Sequence, residues 1–280
     1  MKLNRTAYNH SRLLENILTR FRKMGLLQKR ITRKDLADMD EMHLQGAAVS
    51  EYLANKLNIS RQSKVLDVGC GIGGPCRMLA DEYECSVIGI DRIPQFIQTA
   101  RVLTKMMGLS CEVSFLKANA LRLPFENASF NIVWTQHILM NIANKARFFS
   151  EIRRVLKPGG RFLYYDIFST GQDGIRYPLL WAENASENHL YAHDEVASYF
   201  DIQDYRRVYT ENHSPSGIFF AKAMEERIRT GKTPDLGLDI VLPDPTREKY
   251  PNSIKALVDK KIELHAGIYV KRVERLDSQQ

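Results

Sequence analysis

The residues that carry chemistry gather in one place: Val65-Leu66-Asp67-Val68-Gly69-Cys70-Gly71-Ile72-Gly73-Gly74-Pro75, followed by Val87-Ile88-Gly89-Ile90-Asp91. A β-branched apolar run that breaks into glycines and resumes as a helix brings backbone close to a ligand and aims a helix N-terminus at it. Asp91 lies 22 positions after Gly69, about where a carboxylate can take the two hydroxyls of a ribose. The turn therefore predicts a nucleotide-like cofactor. The spacing Gly69-x-Gly71-x-x-Gly74 also fits a dinucleotide, which leaves a nicotinamide-dependent oxidoreductase open. Asp67 argues the other way, because an acid two places before the first glycine is unsuited to facing phosphates and suits a cation.

S-adenosylmethionine has that character: an ammonium and a sulfonium on one side, ribose and adenine on the other, and no phosphate. Cys70 sits inside the turn, where a small side chain fits, and is assigned no reactive role. His189 and His193 have the i, i+4 spacing of metal ligands, but no third ligand accompanies them and no metal is expected. Tyr177, Trp181 and Tyr191 read either as a cage for a cationic amine or as apolar walls of a lid.

At 280 residues and 44% hydrophobic, the chain is long enough for one large domain with insertions. No segment reaches the roughly 18 apolar residues needed to span a bilayer, and the start lacks the apolar core of a signal peptide. The four cysteines show neither zinc spacing nor disulfide density, so a cytoplasmic protein with reduced thiols is expected. The net charge of +7 is local: residues 1–34 hold ten Lys or Arg against Glu15 alone, and the rest of the chain is slightly acidic. A nucleic-acid enzyme would extend positive charge along its substrate face, so the run reads as a solvated helix face and nucleic acid is an unexpected partner.

Around the turn, strands and helices alternate, which predicts an α/β fold with a parallel sheet and helices on both faces. Ser11 would cap a first helix with Leu13, Leu14, Ile17, Leu18, Phe21 and Met24 on its apolar side. Tyr8 and this helix are expected to close over the cofactor. Met39 to Leu57 reads as a second helix. Strands are expected at Val65 to Val68, Val87 to Ile90, Glu112 to Lys117, Phe130 to Thr135 and Arg161 to Phe168, the last entered through the breaker Lys157-Pro158-Gly159-Gly160. Residues 169–192 form a long loop after a strand's carboxyl end, where ligands bind in open α/β sheets. Further on, helices are expected at His193 to Phe200, Ile218 to Ile228 and Ser253 to Leu264, and strands at Asp204 to Thr210 and Gly267 to Val273. The tail Asp277 to Gln280 reads as frayed.

The order of signals resembles the class I S-adenosylmethionine-dependent methyltransferases. It runs from Val65 to Gly73, through Asp91, Asn119-Ala120-Leu121-Arg122-Leu123-Pro124-Phe125 and Ser129 to Trp134, to Arg154-Val155-Leu156-Lys157-Pro158-Gly159-Gly160. The likeness covers roughly residues 60 to 170 and is strongest to a small-molecule branch with sarcosine/dimethylglycine, quinone and tocopherol methyltransferases. Asp40 to Gly46 and Arg176 to Ala182 resemble segments flanking the active site there.

The resemblance implies a Rossmann-like, seven-stranded, mostly parallel sheet with a helical cap, Gly267 to Val273 being the reversed strand. It divides the chain into an N-terminal cap (1–58), a cofactor-binding core (59–168), and remaining strands with lid insertions at 169–192 and 214–263 (169–280), one domain overall. It places Asp67, Gly69 and Gly71 by the methionyl part and ribose, Asp91 at the ribose hydroxyls, Asn119 and Ala120 at adenine, and Gln136 at the methionyl group, with Cys70 and Arg92 also among the cofactor-binding residues. Relatives commonly have Asp at Asn119, so weaker discrimination at adenine but retained binding is expected, and an acid at His137, so acceptor identity does not carry over. His137 is the candidate base for an acceptor that loses a proton; His43, Tyr177 and Trp181 are candidates for the acceptor pocket. Methyl transfer to N, O or C of a small molecule is implied. An RNA or protein methyltransferase docking through the basic N-terminus, or a non-catalytic binding module, stays open, as does a homodimer.

Overall fold

The computed structural model describes residues 12–203, 205–232, 236–241 and 248–273. Tyr8, Ser11, the tail from Asp277 and the link prolines Pro234, Pro243 and Pro245 lie outside them. Seven strands form one sheet: β1 (Lys64–Val68), β2 (Ser86–Asp91), β3 (Val113–Lys117), β4 (Phe130–Gln136), β5 (Leu156–Ser169), β6 (Tyr205–Asn212) and β7 (Ile262–Lys271), in the order β3-β2-β1-β4-β5-β7-β6. β1 to β5 pair in parallel, and β7 runs antiparallel to both β5 and β6. The expected mostly parallel, seven-stranded sheet with a reversed strand near one edge is what forms.

Alternation of side chains along each strand splits the core in two. Val65 and Trp134 join an apolar layer with helices α1 (Leu13–Lys23), α2 (Arg33–Asp40), α3 (Gly46–Ala54), α4 (Gly74–Tyr83) and α5 (Pro94–Met107). Leu66, Val68 and Val133 join the opposite layer, with α6 (Lys145–Val155) and α7 (His193–Ile202). Two further helices, α8 (Ser214–Arg229) and α9 (Lys249–Val258), pack on each other and on β7. They stand at the end of the sheet where β1 and β4 release their chains.

Three expected elements differ. The single helix from Met39 to Leu57 is two helices, α2 and α3, with the chain reversing at Gln45 (φ +70°) and Gly46 (φ +54°). A reciprocal capping box between Thr32 and Asp35 starts α2 earlier, and a buried ion pair at Asp40 pins its end. The helix from Ser253 to Leu264 stops at Val258, because Lys260 adopts φ +56° and Lys261 N–H closes the turn on Ala256 O at 2.9 Å. Ile262, Leu264 and Ala266 then alternate inward as β7, which begins five residues before the expected Gly267. Finally, Lys157 to Gly160 does not precede the fifth strand as a loop. Phe130 already pairs with Leu156 and Ile132 with Arg161, so the breaker cluster bulges out of a strand that has begun.

Candidate functional site

The glycine turn closes over the end of β2: Gly69 N and Cys70 N both donate to Ile90 O, at 2.8 and 3.0 Å. Asp91 ends that strand, its two oxygens accepting from Gly71 N (3.2 Å) and Ile93 N (2.9 Å). Burial raises its carboxyl to about 6, against the pull of those backbone hydrogen bonds. Asp67 is 2% exposed and accepts from Cys76 Sγ at 3.1 Å. Burial pushes it to about 7; the thiol hydrogen bond opposes this, and the charges of Glu41 and Asp91 add to it. The Cys70 thiol is itself pushed up to about 11 by burial, which leaves it protonated and inert. The turn is thus ringed by carboxyls that are costly to ionise without a cation.

The segment between α2 and α3 roofs this turn. A Cβ on Gly71, whose φ is +53°, would meet Met42 Cε at 2.4 Å, and one on Gly74 would meet the Asp40 carbonyl oxygen at 2.4 Å. The roof can approach only because those side chains are missing. Fully buried Arg77 fastens it from α4, donating to Asp40 Oδ2 (2.8 Å) and Thr104 Oγ1 (3.2 Å). Burial raises Asp40 to about 6 despite the facing guanidinium. Behind the roof runs a buried polar chain: His43 Nε2 meets Glu41 Oε2 at 2.7 Å, Ser50 Oγ donates to Glu41 Oε2 at 2.9 Å, Gln136 Nε2 donates to Ser50 Oγ at 3.1 Å, and Trp134 Nε1 donates to Gln136 Oε1 at 2.8 Å.

A cavity of about 1160 Å³ lies between this roof, the carboxyl ends of β1, β2 and β4, the lid segment and α8–α9. Asp67, Gly69, Cys70, Gly71, Asp91, Arg92, Asn119, Ala120, Gln136, His137, His43 and Trp181 all line it. Asn119 Oδ1 caps its own turn by accepting from Leu121 N at 2.9 Å, which leaves one lone pair for a ligand. Tyr177 does not line the cavity. Its hydroxyl accepts from Asn188 at 2.9 Å, whose other amide atom takes Trp181 Nε1 at 2.9 Å, so it is linked to the cavity wall through Asn188. Nor is Tyr191 part of a ligand cage, since its ring already faces the Lys145 ammonium at 4.4 Å. No described residue of α1 reaches the cavity; that helix packs on α5, because the stripe Leu13, Ile17 and Phe21 is buried in the core.

His137 stands at the end of β4 with φ +49°, a conformation that costs a bulky residue energy and marks a constrained position. Its N–H donates to Tyr165 O at 2.9 Å, its ring stacks on Tyr165 at 5.3 Å, and the His43 ring lies edge-on at 5.8 Å. Burial, with the neighbouring His43 adding, holds its pKa well below the usual imidazole value. The segment after it is clamped from both sides. Asp166 Oδ2 accepts from Ile138 N and Leu139 N, both at 3.0 Å, while buried Lys145 Nζ donates to the carbonyls of Leu139 and His189, both at 2.8 Å, and of Ile142. Asp166 is raised to about 6 and Lys145 lowered to about 8, each by burial first.

Ser50, Arg77, Lys145 and Asp166 escaped the sequence reading, which singled out Asp40 and Glu41 only as part of a segment flanking the site. For Arg77 and Asp166 a signal existed, a lone charge inside Gly74-Pro75-Cys76-Arg77-Met78-Leu79-Ala80 and inside Tyr164-Tyr165-Asp166-Ile167-Phe168. Such charges are rarely buried without a partner.

Residues 66–164 match a family model described as a methyltransferase domain. Among curated proteins, the methyltransferase GfsG of Streptomyces halstedii is 34% identical over 137 residues, 49% of this chain and 49% of that protein. The sterol 24-C-methyltransferase of Saccharomyces cerevisiae is 38% identical over 115 residues, 41% of this chain and 30% of that one. The chain thus spans half or less of the curated relatives it matches. Among solved structures, phosphoethanolamine N-methyltransferase 2 of Haemonchus contortus, in complex with S-adenosyl-L-methionine, superposes with a TM-score of 0.69 at 19% identity, over 89% of this chain and 60% of that one. At that identity the likeness is one of fold.

Proposed function

We propose that this chain, whose residues 66–164 match a methyltransferase domain model, binds S-adenosylmethionine in the cavity and transfers its methyl group to a small molecule. The observation that carries this reading is the pair Asp67, buried, and Asp91, half-buried, two carboxyls that line one cavity beside a glycine turn. The donor set fits the cofactor. Asp91 would take the ribose hydroxyls, Gly69, Cys70 and Gly71 leave room for the methionyl backbone, Asp67 answers its positive charge, and Asn119, Ala120 and Arg92 border the adenosine. When bound, S-adenosylmethionine supplies an activated methyl on a good leaving group.

The protein's own contribution is then alignment and exclusion of water, which can supply about 7–11 kcal/mol of a barrier. The roof from α2 to α3 covers the turn and Gln136 stands beside the reacting end. The acceptor side is built from the N-terminal cap, the lid 169–192 and the insertion 214–263. His137, kept neutral by burial, is the group suited to take a proton from the acceptor. The free cysteines, three of them buried, support a reducing, cytoplasmic setting.

Calorimetry with S-adenosylmethionine and S-adenosylhomocysteine tests the reading, together with transfer of labelled methyl to a metabolite panel. Micromolar binding and a labelled product are expected. Absence of binding by either ligand, or binding of a nicotinamide dinucleotide instead, would sink it; binding without transfer to any acceptor would favour a non-catalytic module.

A further inference from the structure

The cavity follows the carboxyl edge of the sheet, and the strand order sorts its two ends. β1, β2 and β3 lie on one side of β4, and β5 and β7 on the other. Asp67, Asp91, Arg92, Lys117 and Asn119 line the cavity from the first group. Ile167 of β5 and Ile262, the first residue of β7, line it from the second, where Ser169 pairs with Ile262. The volume of about 1160 Å³ exceeds the roughly 300–1,000 Å³ of a pocket for one drug-sized ligand. A cofactor at the β1–β3 end therefore leaves room at the β5–β7 end for a second sizeable molecule.

That far end is walled by hydrocarbon. Phe220 comes from α8, Ile254 and Leu257 from α9 and Leu180 from the lid, and Leu180 packs on the cluster of Ala221, Tyr250 and Ile254. Polar side chains among them are sealed off or already engaged. The Tyr250 hydroxyl is closed to solvent, Ser253 Oγ donates to Lys249 O at 2.8 Å and accepts from Leu180 N at 3.1 Å, and Trp181 Nε1 donates to Asn188 at 2.9 Å. Among the described residues, the Lys and Arg that line the cavity are Arg92 and Lys117, which stand at the ends of β2 and β3. Lys249, at the start of α9, pairs with Glu183 instead. The acid that the lid contributes to the lining, Glu187, accepts from Glu183 N at 3.0 Å.

The geometry points to an uncharged, mainly hydrocarbon acceptor whose body lies against β5, β7, α8 and α9 while the β1–β3 end holds the cofactor. This rests on the methyltransferase reading above. A phosphate or carboxylate brought to that wall loses its water and meets no cation, and an ammonium meets no acid of β5, β7, α8 or α9 that lines the space. Hydrocarbon loses water there at a gain that grows with the area covered. The wall thus selects by the absence of charge and by bulk.

1-Alkanols of about six to twelve carbons, with alkyl phosphates and alkylamines of the same lengths, test this without knowledge of the natural acceptor. S-adenosylhomocysteine binding is measured first, so its absence strikes the methyltransferase reading and its presence isolates this one. Binding to the saturated protein is then read from tryptophan emission, Trp181 being in the cavity wall. Each added methylene should tighten alkanol binding about threefold until the space is filled, and no further. At the best length the phosphate and the amine should each bind at least about tenfold more weakly than the alkanol. Phe220→Arg should weaken the alkanol about tenfold and tighten the phosphate. The length and charge series need only the unaltered protein and decide the matter whether or not that variant folds. Alkanol affinity that is absent or flat with length, a phosphate or amine that binds as tightly as the alkanol, or a folded Phe220→Arg variant with both affinities unaltered would overturn the proposal.

Discussion

On the proposed function, Asp67 would couple cofactor binding to pH. Its carboxyl is raised from 3.8 to about 7 by burial. A raised acid favours the fold while protonated, and its contribution is present at low pH and is lost as pH rises through about 7. A cation in the cavity reverses that preference, because it binds the ionised form. Affinity for S-adenosylmethionine should therefore be highest above pH 7 and fall about tenfold per pH unit below it, more steeply below 6 where Asp91 also protonates. Isothermal titration from pH 5.5 to 8 reads this, and Asp67→Asn should flatten the upper part of the profile. Asp91→Ala should weaken binding by roughly two orders of magnitude, the worth of two hydrogen bonds to a charged group; unaltered affinity would remove Asp91 from the site. For His137, exchange to Asn keeps a residue tolerant of positive φ but replaces the base. A drop in kcat of about 10²-fold or more with cofactor affinity retained is expected for an acceptor that must lose a proton.

Arg77 and Asp40 act between elements, since they join α4 to the end of α2 across the roof of the turn. Removing one member of a fully buried pair leaves the other without a counter-charge, at a cost of about 3–5 kcal/mol. Arg77→Met should therefore lower the urea midpoint sharply at pH 8, and adding Asp40→Asn should restore most of the loss; equal midpoints for the single variant and the parent would show that the roof is held by packing alone. This pair also explains what could be read from the chain and what could not. The turn from Val65 to Gly74 and the acid at Asp91 are local signals, written in glycine spacing and a β-branched run, and they placed the cavity. The break between α2 and α3 is not local. Met39 to Leu57 has helical periodicity throughout, and only the inward turn of Glu41 and His43 toward Ser50, with Asp40 fixed by an arginine 37 positions away, interrupts it. Ser253 to Leu264 misled for a related reason, since its apolar positions suit a helix face or alternating strand equally until Lys260 turns the chain. Tyr177 is expected in the pocket by residue type, and its hydroxyl instead accepts from Asn188 while the residue does not line the cavity.

Over the whole molecule the same distinction decides how the positive charge is read. The sequence concentrates it in residues 1–34, and the fold pairs much of it at the surface with the protein's own acids. Arg12 meets Glu15, Arg20 meets Asp239, Lys29 meets Asp35 and Arg33 meets both Glu51 and Glu82, while Arg30 donates to the Met107 carbonyl. Exposed pairs of this type add little stability, yet each offsets a charge that a phosphate backbone would need. The helix carrying several of them packs on α5 and contributes no described residue to the cavity. An RNA strand drawn to that helix would gain no path to the reacting end through it. A protein using six or more phosphate contacts loses about 10³-fold or more in affinity between 50 and 200 mM salt. Here, titration with single-stranded or duplex RNA should give no saturable binding at physiological salt, and cofactor affinity should vary little over the same range, because Asp67, the carboxyl proposed to answer the positive charge, is 2% exposed and little screened. Tight RNA binding with a steep salt slope would mean that these basic side chains exchange their internal partners for phosphate, and would return the N-terminal helix to a substrate-docking role.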